Sequence, residues 1–182
     1  ETMVRKLPAA RDKAAVIAPW PLEGSLEDVG RAGNPFRKEH GLEDKFVIMH
    51  SGNHSLVHPL DTVLEAARAL RGDARLAFVF VGGGAGKQTV EAFRDKHRLQ
   101  NLLCLPYQPL ERIKYSLSAA DVHLVSMGGD MAGIVHPCKV YGALAVGRPV
   151  LLLGPEASHA GDIIREHACG WRVGHGDTAA AE

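Results

Sequence analysis

From Lys45 onward, short apolar runs of strand length alternate along the chain with longer segments in which apolar residues recur at helical spacing. The short runs contain few polar positions, which is typical of strands buried on both faces of a parallel sheet. The pattern therefore predicts a doubly wound α/β domain of five or six parallel strands with helices on both faces. It places strands at 46–49, 76–81, 102–105, 122–125, 150–153 and 170–173, and helices at 60–70, 88–97, 109–120, 138–145 and 160–167.

Residues 1–43 do not continue this alternation. They are interrupted by turn-forming residues, namely Pro8, Pro19, Pro21, Gly24, Gly30, Gly33 and Pro35. Because 182 residues are enough for one sizeable core, we expect a single domain over 44–182, preceded by a linker or N-terminal arm over 1–43.

Composition excludes several classes of protein. Lys plus Arg number 21 and Asp plus Glu number 21, so the formal net charge is zero and no long-range field favours nucleic acid. No apolar run approaches the roughly 18–20 residues that a membrane span requires. The three cysteines, Cys104, Cys138 and Cys169, are widely spaced and form no C-x-x-C pair, which indicates reduced thiols in a cytoplasmic protein.

In a doubly wound sheet, ligands bind beyond the carboxyl ends of the strands. The glycine-rich segment 82–87 lies at such an end, but its glycine spacing fits neither a P-loop nor a dinucleotide-binding fingerprint. His50, His54 and His58 recur every four residues, which suits one face of a helix and raises the possibility of a zinc site. Pro59 and the preceding strand disfavour that interpretation, and no metal is expected. The segment 51–54 is instead a candidate for contacts with an anion, with an ordinary tight turn as the alternative.

Lys139 follows Pro137, a residue that commonly opens a helix, so this lysine is expected in a first helical turn. The helix dipole disfavours a cation there unless an anion binds beside it. A local conflict of this kind often marks a functional site, although a lysine that simply extends into solvent is the competing explanation.

Eight segments carry a family resemblance: Ser51–His54, Leu60–Leu70, Phe80–Gly84, Asn101–Leu102, Leu105–Leu110, Ala119–Leu124, His136–Lys139 and Leu144–Val150. Taken in this order, they resemble the donor-binding half of retaining GT-B glycosyltransferases, a group often called glycosyltransferase family 4. Val16–Trp20 resembles the linker strand that precedes this half. The resemblance implies a Rossmann-like half of a GT-B fold, cut from a two-domain protein whose other half holds the acceptor.

The resemblance also implies roles for individual residues. Lys139 stands where family members pair a lysine with the donor diphosphate, without a metal or another cofactor. Donor-binding positions are expected at Gly52, Asn53, His54, His58, Tyr107, Gln108, His136, Pro137 and Cys138, and the loop 127–136 is expected to offer backbone donors to the sugar. Many members carry two glutamates that contact sugar and ribose, but this chain has Ile134 and Gly142 at those places.

The function that follows is transfer of a hexosyl unit from a UDP or GDP sugar to a glycan or lipid-linked acceptor in polysaccharide biosynthesis. The expected location is the cytoplasm, with peripheral association to the inner membrane face. Two alternatives stay open: a UDP-sugar epimerase on the same architecture, and a non-catalytic domain that still binds a nucleotide sugar. The sequence leaves the base, the sugar, the acceptor and the oligomeric state undetermined.

Overall fold

The computed structural model describes residues 2–15 and 26–182. Its six strands are β1 (Phe46–Asn53), β2 (Leu76–Gly83), β3 (Leu102–Leu105), β4 (Val122–Ser126), β5 (Val150–Leu153) and β6 (Gly170–Val173). Its α-helices are α1 (Thr2–Lys6), α2 (Pro35–Glu39), α3 (Asp61–Ala69), α4 (Lys87–His97), α5 (Ile113–Ser118), α6 (Lys139–Ala145), α7 (His159–His167) and α8 (Thr178–Ala181).

The strands form one sheet in the order β3-β2-β1-β4-β5-β6, and every neighbouring pair is parallel. Parallel neighbours require crossover connections, which the intervening helices supply. This order is that of the doubly wound nucleotide-binding sheet. From β1 the chain adds strands toward one edge of the sheet, and from β4 it adds them toward the other edge, so the strand order reverses between β1 and β4. The predicted α/β class is confirmed.

Alternate strand residues pack against helices on opposite faces of the sheet. On one face, Phe78, Phe80 and Leu124 join side chains of α3 and α4 in one apolar cluster. On the other face, Val79 packs toward α2 and α5, and Leu152 packs toward α6 and α7. Both faces of the strands are therefore covered, as their nearly continuous apolar sequences predict.

The segment just before β1 is tied to the sheet by a buried cation. Asn34 caps α2 by accepting hydrogen bonds from the backbone N–H groups of the following turn. Arg37 is fully buried; its guanidinium donates to Asp121 Oδ2 at 2.6 Å and to the carbonyl of Ala119 at 2.9 Å. The arm–domain division at residue 43 stays a prediction, but residues 34–42 already contribute buried side chains to the packed unit.

The largest differences from the predicted boundaries are in β1 and in the helix before β4. β1 does not end at Met49 but continues to Asn53, which pairs with Gly83 of β2, so His50 lies within a strand and not at its exit. The helix predicted from Pro109 to Ala120 is a short 3-10 turn followed by α5. The predicted linker strand Val16–Trp20 lies outside the described residues.

Candidate functional site

A cavity of about 300 Å³ opens at the carboxyl edge of the sheet, at the point between β1 and β4 where the strand order reverses. Its size is at the lower end of the range for small-molecule sites. The lining residues come from the ends of β1, β2 and β4, the loop after β3, α5 and the start of α6: Ser51, Gly52, Val81, Tyr107, Gln108, Ile113, Ser116, Leu117, His123, Leu124, Val125, Cys138, Lys139 and Gly142.

Lys139 is the cation of this cavity. It is the first residue of α6, and its side chain crosses the end of β1, where its Cε lies 3.0 Å from the position that a Cβ on Gly52 would occupy. Within the described parts of the chain, no carboxylate approaches the Lys139 ammonium to salt-bridge distance. Burial lowers the pKa of Lys139, because the charged form loses solvation and the neighbouring Cys138 only partly offsets this loss as a counter-charge. A bound anion would supply that counter-charge.

Glycine is required where the ends of β1 and β2 approach each other. Gly52 has φ +122° and Gly82 has φ +127°, a backbone region that residues other than glycine rarely adopt. A Cβ on Gly82 would collide with the carbonyl of Gly52. This close approach leaves the end of β1 bare, and the aliphatic part of Lys139 lies across it.

Three other predicted residues share the cavity wall. Tyr107 is 58% exposed, and its hydroxyl donates to the Gly83 carbonyl at 3.4 Å. Gln108 bonds to the Pro106 carbonyl through its side-chain amide at 3.2 Å. Cys138 is exposed beside Lys139. With Gly52 and Lys139, these three residues make five of the ten predicted site residues that line this one cavity.

The remaining residues of the β1 end lie outside this cavity. Asn53 packs its amide against Gly84. His54 is 1% exposed, and its backbone N–H already donates to the Gly83 carbonyl at 2.7 Å, so it is placed beneath the surface that a ligand would contact. His58 lines a separate cavity between α3 and α4. Direct ligand contacts by these three side chains stay a prediction that the geometry does not favour.

His136 and Pro137 line a different cavity, together with residues of the loop after β4 and the start of α7. The hydroxyl of Tyr141 joins two imidazoles there, lying 3.0 Å from His136 Nε2 and 3.2 Å from His159 Nε2. The loop before His136 uses several of its own backbone donors internally, since the N–H groups of Ile134 and Val135 both bond to the Met131 carbonyl. Fewer donors are therefore free for a sugar than the sequence predicted.

The glycine-rich turn after β2 is occupied by its own lysine. The Lys87 ammonium donates to the carbonyls of Gly82 and Leu105, each at 2.7 Å. A P-loop lysine would instead extend toward phosphate. The geometry agrees with the spacing argument against a phosphate cradle at this turn.

Comparison with known proteins identifies the family. The profile described as Glycosyl transferases group 1 matches residues 34–182, which is most of the chain. The chain belongs to this family. The probable glycosyltransferase WbjE of Pseudomonas aeruginosa is 27% identical over 164 residues, which cover 90% of this chain and 41% of that protein. The putative colanic acid biosynthesis glycosyl transferase WcaI of Escherichia coli K12 is 32% identical over 121 residues, covering 66% and 30%.

The fold of this group 1 domain is also found in solved structures, among them WaaG, described as a glycosyltransferase involved in lipopolysaccharide biosynthesis. The crystal structure of Anabaena Alr3699/HepE in complex with UDP-glucose matches with a TM-score of 0.73 at 15% identity, covering 92% of this chain and 45% of that one. The chain spans less than half the length of the curated relatives that it matches. It therefore corresponds to one Rossmann-like half of a GT-B architecture.

The sequence analysis did not identify two polar residues of this cavity, and it did not place Gly142 in the cavity wall. His123 is buried at the cavity floor and donates from Nε2 to the Leu117 carbonyl at 2.9 Å, and burial lowers its pKa to about 4. Ser116 is also buried there. Gly142 forms part of the cavity wall and Ile134 is 72% exposed in the neighbouring loop, so among the described lining residues there is no carboxylate. Only the polar His123 inside an otherwise apolar strand offered a signal in the sequence.

Over residues 2–15 and 26–182, no group of three or more His, Cys, Asp or Glu side chains is arranged to hold a metal ion. Within the same residues, none of the helices combines the length and apolar character needed to cross a bilayer.

Proposed function

We propose that this chain is the donor-binding half of a retaining glycosyltransferase that moves a hexosyl unit from a nucleotide sugar to a glycan or lipid-linked acceptor in the cytoplasm. The observation that carries the proposal is Lys139, whose partly buried ammonium lines a cavity at the reversal point of the sheet without a carboxylate partner among the described residues. A cation desolvated in this way favours an anionic ligand. Family membership supports a nucleotide diphosphate as that anion.

The shape of the cavity supports a direction for the nucleotide. Lys139 and Gly52 form its cationic end, whereas Ile113, Leu117 and the exposed ring of Tyr107 lie toward α5 and the loop after β3. A diphosphate at the cationic end and a base at the apolar end satisfy both chemistries. This orientation assigns the base contacts to Tyr107 and Gln108, two of the donor-binding positions that the family resemblance implies.

In the proposed reaction, negative charge develops on the nucleoside diphosphate as it leaves the sugar. Lys139 offsets that charge from a fixed position, because its aliphatic stem is supported by the end of β1. We propose that no divalent cation is needed for this step. Addition of a chelator should then leave turnover unchanged.

Retention of the anomeric configuration is part of the proposal. The acceptor half is expected to come from the remainder of a longer protein, because catalysis requires both reactants to be held in one cleft. This chain alone should therefore bind the donor but transfer no sugar.

Substitution of the key cation tests the proposal. In the complete enzyme, Lys139→Ala should lower turnover by roughly 10²–10³-fold, the effect of removing one donor that stabilises a developing anion, about 2.7–4 kcal/mol. Lys96→Ala, an exposed lysine of α4, is the matched control and should leave turnover unchanged. Equal turnover of Lys139→Ala and wild type would refute the role of Lys139.

A second candidate is a domain that binds a nucleotide sugar without catalysing transfer. The absence of a carboxylate among the described cavity residues favours it over the UDP-sugar epimerase, which would need acidic and basic groups around the sugar. Calorimetric titration of this chain with UDP, GDP and ADP tests the binding that both remaining candidates require. Binding of one nucleotide, with inactivity of the complete protein toward every donor and acceptor, would favour the non-catalytic candidate.

A further inference from the structure

Three histidines at the end of β1 form a cluster behind Lys139. His50 and His54 are each 1% exposed, and their rings meet edge to face with centroids 4.7 Å apart. His58 follows in the next loop and is half-buried. The ring of Phe80 lies beside both His50 and His54, so the cluster borders the apolar layer under α3 and α4.

The hydrogen bonds of two imidazoles determine which ring nitrogen is free. His50 Nδ1 lies 3.2 Å from the Leu124 carbonyl, and His54 Nδ1 lies 3.2 Å from the Gly83 carbonyl. A carbonyl only accepts, so in each neutral ring the proton is on Nδ1 and Nε2 carries a lone pair.

The free nitrogens have no partner within the described part of the molecule. Both Nε2 atoms, together with His58 Nδ1, are buried there without a hydrogen bond. Buried polar atoms are seldom left without a partner, and such exceptions often have a functional reason. The Nε2 atoms of His50 and His54 are therefore acceptors that can each take up a proton.

The charges that face the cluster are mainly positive. Burial holds the pKa of each ring below its usual value, and the positive charges of Lys139 of α6, on all three imidazoles, and of Lys87 of α4, on His54, lower it further. Asp61, at the start of α3, lines the same cavity as His58. No described carboxylate lies within salt-bridge distance of His50, His54 or His58. Burial and these positive charges both favour the neutral form of the three rings, and no described carboxylate is close enough to compensate a proton.

We propose that the cluster His50, His54 and His58 takes up a proton when a nucleoside diphosphate binds beside Lys139. The inference rests on the proposed function, since it needs the diphosphate at Lys139. The bound anion partly cancels the field of the lysine and adds negative charge near the rings, which favours their protonated form. One N–H bond forms, at Nε2 of His54 or His50, and one bond to hydrogen breaks in the buffer acid that supplies the proton; no bond of the nucleotide changes.

The sign of the pH dependence follows from this linkage. Ligand binding raises the pKa of the cluster, so affinity is highest below the pKa of the free protein and falls as pH rises toward the pKa of the complex. Uptake of one full proton corresponds to a tenfold loss of affinity per pH unit. Because the three rings interact, the proton belongs to the cluster as a whole.

Calorimetry with UDP tests the proposal on this chain. Titrations at one pH in buffers of different ionisation enthalpy give the number of protons exchanged on binding. His54→Asn and His50→Asn are suitable variants, because the asparagine amide can replace the Nδ1–H donor while removing the titrating nitrogen. His167→Asn, an exposed histidine of α7, is the matched control. The ionisation of UDP itself is common to all four proteins and cancels in the differences between them.

We expect the wild type and His167→Asn to take up between half a proton and one proton more than at least one of His54→Asn and His50→Asn, with a corresponding loss of the pH dependence of affinity in that variant. Equal proton uptake by all four proteins would overturn the inference while leaving the proposed function intact. Failure of UDP, GDP and ADP to bind the wild type would overturn both.

A measurement that needs no variant protects the test against misfolding. Nitrogen-15 NMR of the imidazoles should show His50 and His54 as neutral Nδ1–H tautomers in the free wild-type protein at pH 7. Saturating UDP should shift at least one Nε2 of the cluster toward the protonated form. Unchanged Nε2 signals in the UDP complex would contradict the proposal.

Discussion

Gly142 offers a way to test where the ribose lies. Gly142 is in the middle of α6 and on the cavity wall, in a conformation open to any residue, and a Cβ there would meet only Leu117 Cδ1 at 3.6 Å, an ordinary contact. Gly142→Ala and Gly142→Glu should therefore fold, and each should gain up to about 1 kcal/mol of helix stability over glycine.

The two variants differ in one carboxylate that points into the proposed nucleoside site. If the ribose lies beside residue 142, a glutamate there accepts hydrogen bonds from its hydroxyl groups. A hydrogen bond to a charged group is worth about 1.5–3 kcal/mol, which corresponds to roughly a 10–150-fold change in affinity. Gly142→Glu should therefore prefer UDP over 2′-deoxy-UDP by at least tenfold.

Calorimetric dissociation constants for UDP and 2′-deoxy-UDP provide the assay. Wild type and Gly142→Ala should discriminate between the two nucleotides less than Gly142→Glu, because the described cavity residues offer only neutral groups to the ribose. Gly142→Ala also controls for the change in helix stability. Discrimination by Gly142→Glu no greater than that of Gly142→Ala would refute the placement of the ribose at α6.

The remaining predictions concern stability. Asp121→Asn leaves the buried Arg37 charge without its carboxylate, so urea unfolding at pH 7 should show a loss of about 3–5 kcal/mol. Burial lowers the pKa of His123 from 6.5 to about 4, so its share of the stability, about 3 kcal/mol, is present above pH 6.5 and is lost as pH falls toward 4. His123→Gln keeps an amide donor, and urea unfolding at pH 7 and pH 4 should show a correspondingly smaller acid loss. Gly82→Ala should lose at least about 2 kcal/mol through its positive φ and its collision with the neighbouring strand, whereas Gly72→Ala, which meets nothing within 4 Å, should not.

Hydrophobic patterning predicted the sheet well because its strands are buried on both faces. The bounds of β3, β5 and β6 agree with the apolar runs, and only polar or glycine-containing strand ends were lost. The missed part of β1, from His50 to Asn53, pairs with β2 along its whole length. Backbone pairing keeps these residues extended even though their side chains lack strand character, and pairing is a property of the neighbour that the local sequence does not carry.

The site was predictable where it depends on topology and less so where it depends on side-chain direction. The carboxyl-edge rule for parallel sheets indicated the segment 51–54, which contains Gly52. The helix start after Pro137 indicated Lys139, and the family resemblance implied Tyr107 and Gln108. The prediction for His54 missed that its side chain is buried beside Phe80, because β1 continues to Asn53 and does not end at Met49. Arg37 was missed because its partners, Ala119 and Asp121, are distant in sequence.

The lysine and the histidine cluster belong to one electrostatic arrangement. Lys139 lies over Gly52, and His50 lies two residues earlier on the same strand, so one anion at the end of β1 acts on both. With the cavity empty, the lysine charge opposes protonation of the cluster, and burial opposes the charge on the lysine itself. An anion relieves both penalties at once. The proposed binding energy therefore depends on Lys139 and the histidine cluster together. In Lys139→Ala the cluster should titrate at higher pH in the free protein, and proton uptake on UDP binding should be smaller than in the wild type. These two results would distinguish an electrostatic link between the lysine and the cluster from two independent sites.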